Sequence, residues 1–432
     1  MTSSDRYRAM AERVLPGGAI GTRLNPDGLN MTIASAAGSR ITDVDGTEWI
    51  DYVGGAGALI LGHQHPAVVD AVQRQAARSL HQYAALSDVA VELAAALVDA
   101  VPGAERMVFT TTGSEATSYA IRMARAATGR TKILKFEGAF HGNHDYAGIG
   151  VSPAGPSAYP AGTAFTDGTP KAVVDTMLIA PYNDLERLRQ ITDEHGHDVA
   201  GIIVEPVQRI ISPQPGFLEG LRALADELGA VLIFDEVVTG FRLAYGGAQE
   251  YFGVQADLAT FGKIVGGGGP GGAVIGSADL VDQSHPNRKG TGGYVYASGT
   301  LHGNPIGAAA GLATLALLRE PGFYDALAAR TCALTHAIAT ELGKHGQGAI
   351  VEHVGSMWQI LHTTRSPQQY TDLLDANPAA TVAFDIELMR RRINVVPGLR
   401  RFVSSAHTDE DFTKTVAAVA DACHALEEQD DH

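Results

Sequence analysis

Lys263 is the first residue whose setting suggests chemistry. It stands in the segment FGKIVGGGGPGGAVIG, after an apolar run and before four glycines. A lysine that is partly desolvated in such a setting has a lowered pKa, and its amine then forms imines more readily. A P-loop would need Ser or Thr in place of Ile264, and a dinucleotide motif would need a helix after the glycines, where a second strand is predicted. The segment therefore predicts a reactive amine.

Asp235 and Glu236 follow an apolar run in the segment VLIFDEVVTGFR, residues 231–242. A carboxylate at the end of a buried strand is unfavourable unless a partner compensates for its burial. One such partner is the protonated nitrogen of a heteroaromatic ring, which accepts electron density when a neighbouring C–H bond breaks. We expect Asp235 to pair with such a ring and Val237 to lie under it. Glu236 is expected to turn away, into an ion pair or a helix cap.

A candidate phosphate site lies between a predicted strand and a long predicted helix, at Thr112-Gly113-Ser114-Glu115. Backbone N–H groups at a helix N-terminus favour an anion. We therefore expect Gly113 and Ser114 to bind phosphate, although the same pattern also describes an ordinary helix cap. Phe140 and His141 follow the next strand, where an aromatic ring could stack on a flat cofactor or fill the core.

Two histidine clusters resemble metal ligands, namely His63-Gln64-His65 and His141-Gly142-Asn143-His144-Asp145. Neither has the helical HExxH pattern of zinc enzymes, and neither has a cysteine partner. We therefore predict no metal site.

Strands and helices are predicted to alternate from about residue 104 to residue 277. The apolar runs MVFTT, KILKF, VAGIIVEP, AVLIFDE, DLATFGK and AVIGS are separated by stretches with helical periodicity. This alternation predicts a mostly parallel sheet covered by helices on both faces. Ligands of such sheets bind at the carboxyl ends of the strands. The residues at these ends include Gly113, Phe140, Glu205, Asp235 and Lys263.

The two chain ends differ from this central pattern. In RITDVDGTEWIDYVGG, residues 40–55, a DG turn joins two short strands, which predicts a β-hairpin. After Gly311 the sequence predicts long helices rich in alanine and leucine. Short strands are expected near 354–362 and 400–405, and a last helix from Asp409.

A chain of 432 residues favours two lobes. We expect a large lobe at 61–310 and a small lobe formed by 1–60 and 311–432. The net charge of −16 argues against nucleic acid or an anionic membrane as a partner, and no apolar stretch is long enough to span a bilayer. The N-terminus lacks the apolar core of a signal peptide, and only Cys332 and Cys423 are present, so a cytoplasmic protein is expected.

Eight motifs, in this order, resemble those of the class III pyridoxal-phosphate aminotransferases of fold type I, a family that includes glutamate-1-semialdehyde aminomutase. They are RVLPGG (13–18), DVDGTEWIDYVGGAGALILGHQHP (43–66), TTGSEATSYAIRMARAATGR (111–130), AFHGNHD (139–145), FDEVVTGFR (234–242), FGKIVGGG (261–268), GTLHGNP (299–305) and VSSAHTDEDF (403–412). The resemblance implies an α/β fold: a large lobe with a seven-stranded, mostly parallel sheet between helices, and a small α+β lobe from both chain ends. It also implies pyridoxal 5′-phosphate as the cofactor.

The resemblance implies a role for individual residues as well. Lys263 would hold the cofactor as an aldimine and carry the substrate proton, and Asp235 would pair with the ring nitrogen. The other implied cofactor contacts are Gly113 and Ser114 at the phosphate, Phe140 and Val237 on the two ring faces, and His141 and Glu205 beside the ring. Thr300 would reach the phosphate in the partner subunit, which implies a homodimer with shared active sites.

Departures from the aminomutase pattern bear on the reaction. Where that enzyme has a glutamate shortly before its FVS-AHT stretch, alignment places Leu399, followed by Arg400. Arg23 stands one residue early for the arginine that grips the substrate carboxylate, so Arg23 and Arg400 are the candidate substrate-binding residues. We predict an aminotransferase that moves an amino group between an amino acid or amine (a non-α amine or a β-amino acid) and a keto acid or aldehyde. An aminomutase and a racemase or epimerase are the alternatives.

Overall fold

The computed structural model describes residues 2–21, 24, 26, 29, 31–153, 155 and 158–430, the side chains of 429 and 430 excepted. The chain divides into two compact units. The larger unit comprises residues 67–326 and 366–375, and the smaller unit comprises residues 1–66, 327–365 and 376–432. The predicted lobe boundaries at residues 60 and 310 stay a prediction. Within the described ranges, no helix is both long enough and apolar enough to cross a membrane.

The strands are numbered here in chain order. They are β1 Ile33–Ala37, β2 Arg40–Asp43, β3 Glu48–Asp51, β4 Arg106–Thr110, β5 Lys132–Phe136, β6 Met177–Ala180, β7 Val199–Val204, β8 Val231–Asp235, β9 Leu258–Phe261, β10 Gly272–Gly276, β11 Ile350–Val354, β12 Met357–Leu361, β13 Ile393–Asn394 and β14 Arg401–Phe402.

The α-helices are numbered in the same way. They are α1 Ser3–Val14, α2 Gly54–Gly57, α3 Pro66–Arg78, α4 Asp88–Ala100, α5 Gly113–Thr128, α6 Lys171–Val174, α7 Leu185–His195, α8 Phe217–Leu228, α9 Gly247–Phe252, α10 Ala278–Val281, α11 Pro305–Leu318, α12 Phe323–Lys344, α13 Tyr370–Asp375, α14 Pro378–Arg390 and α15 Asp409–Asp430. Short 3₁₀ turns include Lys263–Gly266, directly after β9.

The larger unit is built on a seven-stranded sheet of order β4-β10-β9-β8-β7-β5-β6. Strands β6, β5, β7, β8 and β9 pair in parallel, and β10 is antiparallel to both of its neighbours. This confirms the predicted mostly parallel sheet. Every residue of β6 to β10 is buried, as expected for apolar runs covered by helices on both faces.

Helix α5 shows how the helices pack on this sheet. Its fully buried alanines, Ala116, Ala120 and Ala124, recur every four residues and therefore lie on one face of the helix. A Cβ atom at Gly201 of β7 would lie 3.1 Å from the Cβ of Ala124. The small residues thus let α5 approach the sheet closely, which fixes the position of its N-terminus.

Strands β4, β5, β7, β8 and β9 run in one direction, because β10 is antiparallel to both β4 and β9. Their carboxyl ends therefore lie along one edge of the sheet. The candidate residues that follow these ends are Gly113, Phe140, Glu205, Asp235 and Lys263.

The smaller unit contains two sheets, of order β1-β2-β3-β13 and β11-β12-β14. Their strands pair antiparallel, except that β13 is parallel to β3. The predicted hairpin is confirmed: β2 and β3 pair antiparallel around a turn in which Gly46 has φ +83°. The last helix, α15, begins at Asp409 as predicted. Strands β1, β6, β11 and β13 were not predicted from the sequence.

Candidate functional site

Asp235 ends β8 with its side chain buried and held at both oxygens. Oδ2 accepts a hydrogen bond from Nδ1 of His141 at 2.7 Å. Oδ1 accepts from the backbone N–H of Val237 at 3.1 Å and from the hydroxyl of Thr260 at 3.3 Å. These donors compensate for the burial of the charge and fix the direction of the carboxylate.

His141 is the partner that the sequence did not assign to Asp235. It is buried, and among the described residues its Nε2 atom has no hydrogen-bond partner. Its carbonyl oxygen accepts a hydrogen bond from Thr117 of α5 at 2.6 Å. Thr117 therefore holds the backbone of His141, and the Nδ1–H of the His141 ring donates to Asp235. Whether His141 also touches a cofactor stays a prediction.

Lys263 opens the 3₁₀ turn after β9 and is half-buried. Its φ of +51° lies in the left-handed region, which non-glycine residues rarely adopt and which is often found at functional sites. The preceding Gly262 packs tightly: a Cβ atom there would lie 3.3 Å from the backbone nitrogen of Gly113 and 3.3 Å from Cγ1 of Val237. The segments carrying the lysine, the phosphate candidate and Val237 therefore meet at one place.

Gly113 begins α5 against the side chain of Val237. A Cβ atom at Gly113 would lie 2.7 Å and 2.9 Å from the two methyl groups of Val237, so a larger residue would have to displace Val237 or the helix start. The hydroxyl of Thr112 accepts from the N–H of Glu115 at 3.2 Å, and Oε2 of Glu115 accepts from the N–H of Thr111 at 2.8 Å. Since the first N–H groups of a helix have no acceptor within it, those of Gly113 and Ser114 are the ones left for an anion.

Ser114 joins this helix start to the loop after β5. Its hydroxyl accepts from the N–H of Asn143 at 3.0 Å. Gly142, with φ +101°, lies so close that a Cβ atom there would be 2.5 Å from the Ser114 hydroxyl oxygen. The loop that carries Phe140 and His141 is therefore tied directly to the phosphate candidate.

Phe140 and Glu205 also contact each other. The ring of Phe140 is exposed, and its backbone N–H donates to Oε2 of the buried Glu205 at 3.0 Å. Glu205 follows β7, so two neighbouring strand ends are linked here. An exposed ring is available to stack on a ligand, whereas the core-filling alternative for Phe140 is wrong.

The remaining predicted residues are Thr300, Arg400, Arg23 and Glu236. Thr300 is exposed in a turn of the larger unit, and Arg400 is half-buried in the smaller unit. Arg23 falls outside the described residues. Glu236 turns away from Asp235 as predicted and caps α9, accepting from the N–H groups of Ala248 and Gln249 at 2.6 and 3.2 Å. Burial raises the pKa of Glu236 to about 7, although these donors oppose the shift.

One histidine in each of the clusters that resemble metal ligands has a protein partner at its Nε2 atom. Nε2 of His63 lies 2.8 Å from Oδ2 of Asp51, and Nε2 of His144 lies 3.1 Å from the hydroxyl of Thr117. Burial lowers the pKa of His144 to about 4. In the part of the chain that the structure describes, the one group of three possible metal ligands is His345, His424 and Glu427 of the smaller unit, in which Nδ1 of each histidine faces a carboxylate oxygen of Glu427, at 3.2 and 3.6 Å.

Sequence reasoning missed several residues that build this site. Thr117 and Thr260 donate hydroxyl hydrogen bonds to His141 and Asp235 respectively. Lys135 is fully buried beneath the same loop. A lysine within the apolar run KILKF was the one available signal for Lys135, whereas nothing in the sequence distinguishes the two threonines from other helix and strand threonines.

Comparison with known proteins identifies a matching family and several similar proteins. Residues 24–414 match the protein family described as Aminotransferase class-III. A protein of Nitratidesulfovibrio vulgaris (strain DSM 19637 / Miyazaki F) named glutamate-1-semialdehyde 2,1-aminomutase is 41% identical over 424 residues, which cover 96% of each chain.

Two solved structures are also similar over nearly the whole chain. An omega-transaminase from Sphaerobacter thermophilus has a TM-score of 0.91 and 33% identity, covering 98% of this chain and 97% of its own. A β-phenylalanine aminotransferase from Variovorax paradoxus has a TM-score of 0.87 and 30% identity, covering 99% and 94%.

Proposed function

The chain belongs to the class III aminotransferases, enzymes that depend on pyridoxal 5′-phosphate, and from this premise we propose that it transfers an amino group between two different substrates. The proposed donor is an amine whose nitrogen lies away from the α-carbon, or a β-amino acid. The proposed acceptor is a keto acid or an aldehyde.

The described residues fit this cofactor. A ring nitrogen needs an anion, and Asp235 supplies a buried, oriented carboxylate. A phosphate needs N–H donors at a place where the backbone can come close, and the start of α5 at Gly113 and Ser114 supplies them. A carbonyl carbon needs an amine, and Lys263 follows the neighbouring strand. We propose these four residues as the cofactor contacts that matter most.

When bound, pyridoxal phosphate supplies an electrophilic carbon and a ring that withdraws electrons from the breaking bond. Each protein group then has a defined task. Asp235 would hold a proton at the ring nitrogen, and His141 keeps the carboxylate aligned by donating from Nδ1. The Nζ amine of Lys263 holds the cofactor before substrate arrives and afterwards moves the proton of the substrate carbon. Val237 and Phe140 would cover the two ring faces, and Glu205 fixes the backbone of Phe140.

The segment before β14 is the feature that favours transfer between two substrates over an intramolecular amine shift. The aminomutase pattern requires a glutamate where this chain has Leu399. The acidic side chain at this segment is instead Asp385, which binds the N–H of Gly398 at 2.8 Å and forms a buried ion pair with Arg401. Both carboxylate oxygens of Asp385 are therefore used to hold residues 398–401 in place. The similarity to an omega-transaminase and a β-phenylalanine aminotransferase supports a donor with a non-α amine.

A second candidate is the intramolecular amine shift of an aminomutase. The specific observation in its favour is the 41% identity to a protein of that name over nearly the full length of both chains. Arg23 and Arg400 are proposed to bind the substrate carboxylate under either reaction.

A panel of donors separates these candidates. Purified protein is incubated with β-amino acids, ω-amines and α-amino acids, each with pyruvate or 2-oxoglutarate, and the product amino acid is measured. Glutamate-1-semialdehyde is tested in parallel without an added acceptor. We expect turnover only when an acceptor is present; turnover of the semialdehyde alone would contradict the proposal and favour the mutase. In the same panel, Arg23→Ala should raise the KM of carboxylated donors more than that of plain amines.

We further propose that the enzyme is a homodimer with shared active sites. Large apolar side chains are exposed on the larger unit at Leu80, Tyr83, Leu86 and Leu301, next to the exposed Thr300. The side-chain amide of Asn304 donates to the carbonyl of Leu80 at 3.2 Å, so the two segments form one continuous surface. An exposed apolar surface of this kind favours association.

Mixed dimers test the sharing of sites. Lys263→Ala and Thr300→Asp should each be inactive, the second because its carboxylate repels the phosphate. If Thr300 serves the partner's cofactor, unfolding and refolding the two variants together restores roughly a quarter of wild-type activity, because half of the dimers then contain one intact site. If Thr300 serves its own subunit, mixing restores nothing.

A further inference from the structure

Lys135 is a buried lysine that the proposed mechanism does not use. It lies on β5, between β7 and the edge strand β6 of the larger unit's sheet, and its side chain is fully buried. Its Nζ atom donates to three backbone carbonyls: those of Ala139 at 3.2 Å, Ala147 at 2.8 Å and Ile149 at 2.7 Å. An ammonium group has three donors and no acceptor, so the three carbonyls use its whole hydrogen-bonding capacity.

The three carbonyls belong to one loop. Ala139 lies at the start of the segment 139–149 and Ile149 at its end, so Lys135 ties both ends of the segment to β5. Between these ends stand Phe140 and His141, together with the residues that contact Ser114.

Charged groups face this ammonium from several elements. Glu205 after β7 and Asp235 at the end of β8 act as nearby negative charges, while Arg209 acts as a positive one. Burial lowers the pKa of Lys135 to about 7, and the two carboxylates oppose this shift. His144, on the loop itself, has a pKa of about 4 and is therefore neutral near pH 7.

We propose that Lys135 is a positioning residue of the cofactor site, which binds the loop 139–149 so that His141 reaches Asp235 and Phe140 presents its ring. The inference rests on the site residues proposed above. Removing the ammonium would leave three buried carbonyls without a donor, which is unfavourable where no water replaces it. The loop would then move, and His141 and Phe140 would move with it.

Lys135→Met removes the donors while keeping a chain of similar length. Lys132→Met is the matched control, because Lys132 lies on the same strand and binds the carbonyl of Asp175 near the surface. The dissociation constant of pyridoxal phosphate and the pH titration of its visible absorption are measured on each variant. We expect Lys135→Met to weaken cofactor binding at least about tenfold and to shift the titration, because His141 supports Asp235. Lys132→Met should match the wild type.

Thermal unfolding of the cofactor-free proteins and amide hydrogen exchange of residues 139–149 complete the test. Lower thermal stability with unchanged cofactor affinity and titration would overturn the proposal, because that is the result of a purely structural role. If Lys135→Met does not accumulate as folded protein, Lys135→Gln, which keeps two N–H donors, takes its place. Asp235→Asn distinguishes a failure of the proposed cofactor site from a failure of the proposed role of Lys135. If Asp235→Asn leaves the titration unchanged, the cofactor site is misassigned. If Asp235→Asn shifts the titration and Lys135→Met does not, only the role of Lys135 is refuted.

Discussion

Nδ1 of His141 donates to Oδ2 of Asp235 across 2.7 Å, and both side chains are buried. His141 lies in the loop after β5 and Asp235 is the last residue of β8, and these two strands end at the same edge of the sheet. A carboxylate held in this way is oriented before any ligand arrives, as the proposed pairing with a ring nitrogen requires.

Asp235→Asn tests that charge. The amide keeps the shape of the side chain, so we expect the cofactor to bind. It cannot hold a proton at the ring nitrogen, so removal of the substrate proton should slow roughly 10³-fold. Stopped-flow absorbance in single turnovers with an accepted donor measures this step directly. Proton removal at a near-normal rate would reject the role of Asp235.

Lys263→Ala tests the amine. Reduction of the wild type with borohydride should fix the cofactor to the peptide that contains Lys263, and the variant should show no such modified peptide. Mass spectrometry after proteolysis reads the result. Lys289→Ala, at an exposed lysine of the same unit, is the control and should be modified like the wild type. A modified peptide of unchanged yield in Lys263→Ala would show that another lysine holds the cofactor.

Gly113→Ala tests the close approach at the start of α5. The added methyl group would lie 2.7 Å and 2.9 Å from the methyl groups of Val237, so the helix start or Val237 must move. Overpacking of this kind costs about 1–3 kcal/mol, which predicts a rise of about tenfold or more in the dissociation constant of pyridoxal phosphate. Gly343→Ala is the control, since a Cβ atom there meets nothing within 4 Å. Equal affinity for pyridoxal phosphate in the two variants would contradict the proposed phosphate site at the start of α5.

The sheet and the edge residues could be predicted from the sequence because their signals are local. The run VLIF is apolar along its length, as a strand buried on both faces must be, and with Asp235 it forms β8 in the structure. Asp235, Gly113 and Lys263 stand directly after such runs. The rule that parallel strands end at one edge was then enough to place them together.

The contacts that complete the site could not be predicted, because they join residues far apart in the chain. The bond from Thr117 to the carbonyl of His141 and the bond from Thr260 to Asp235 depend on how α5 and β9 pack, which no local pattern encodes. The short strands β6 and β13 were missed for a similar reason. β13 has two residues and pairs with β3, more than 300 positions earlier in the sequence, so neighbours rather than propensity define it.

His407 of the smaller unit predicts a pH dependence of stability. It is buried and stacks on Tyr52 with ring centroids 4.6 Å apart. Its Nδ1 atom accepts from the N–H of Ser404 at 3.0 Å, which requires an unprotonated nitrogen. Burial lowers the pKa of His407 to about 4. Between pH 6.5 and pH 4, His407 therefore binds a proton in the unfolded chain but not in the folded protein. The free energy of unfolding falls by up to about 3 kcal/mol as the pH falls through this range.

Guanidinium unfolding across this range should show a smaller fall in the free energy of unfolding for His407→Gln than for the wild type, while the exposed-site control His336→Gln should follow the wild type. If the loss is the same in all three proteins, another group is responsible for the acid sensitivity.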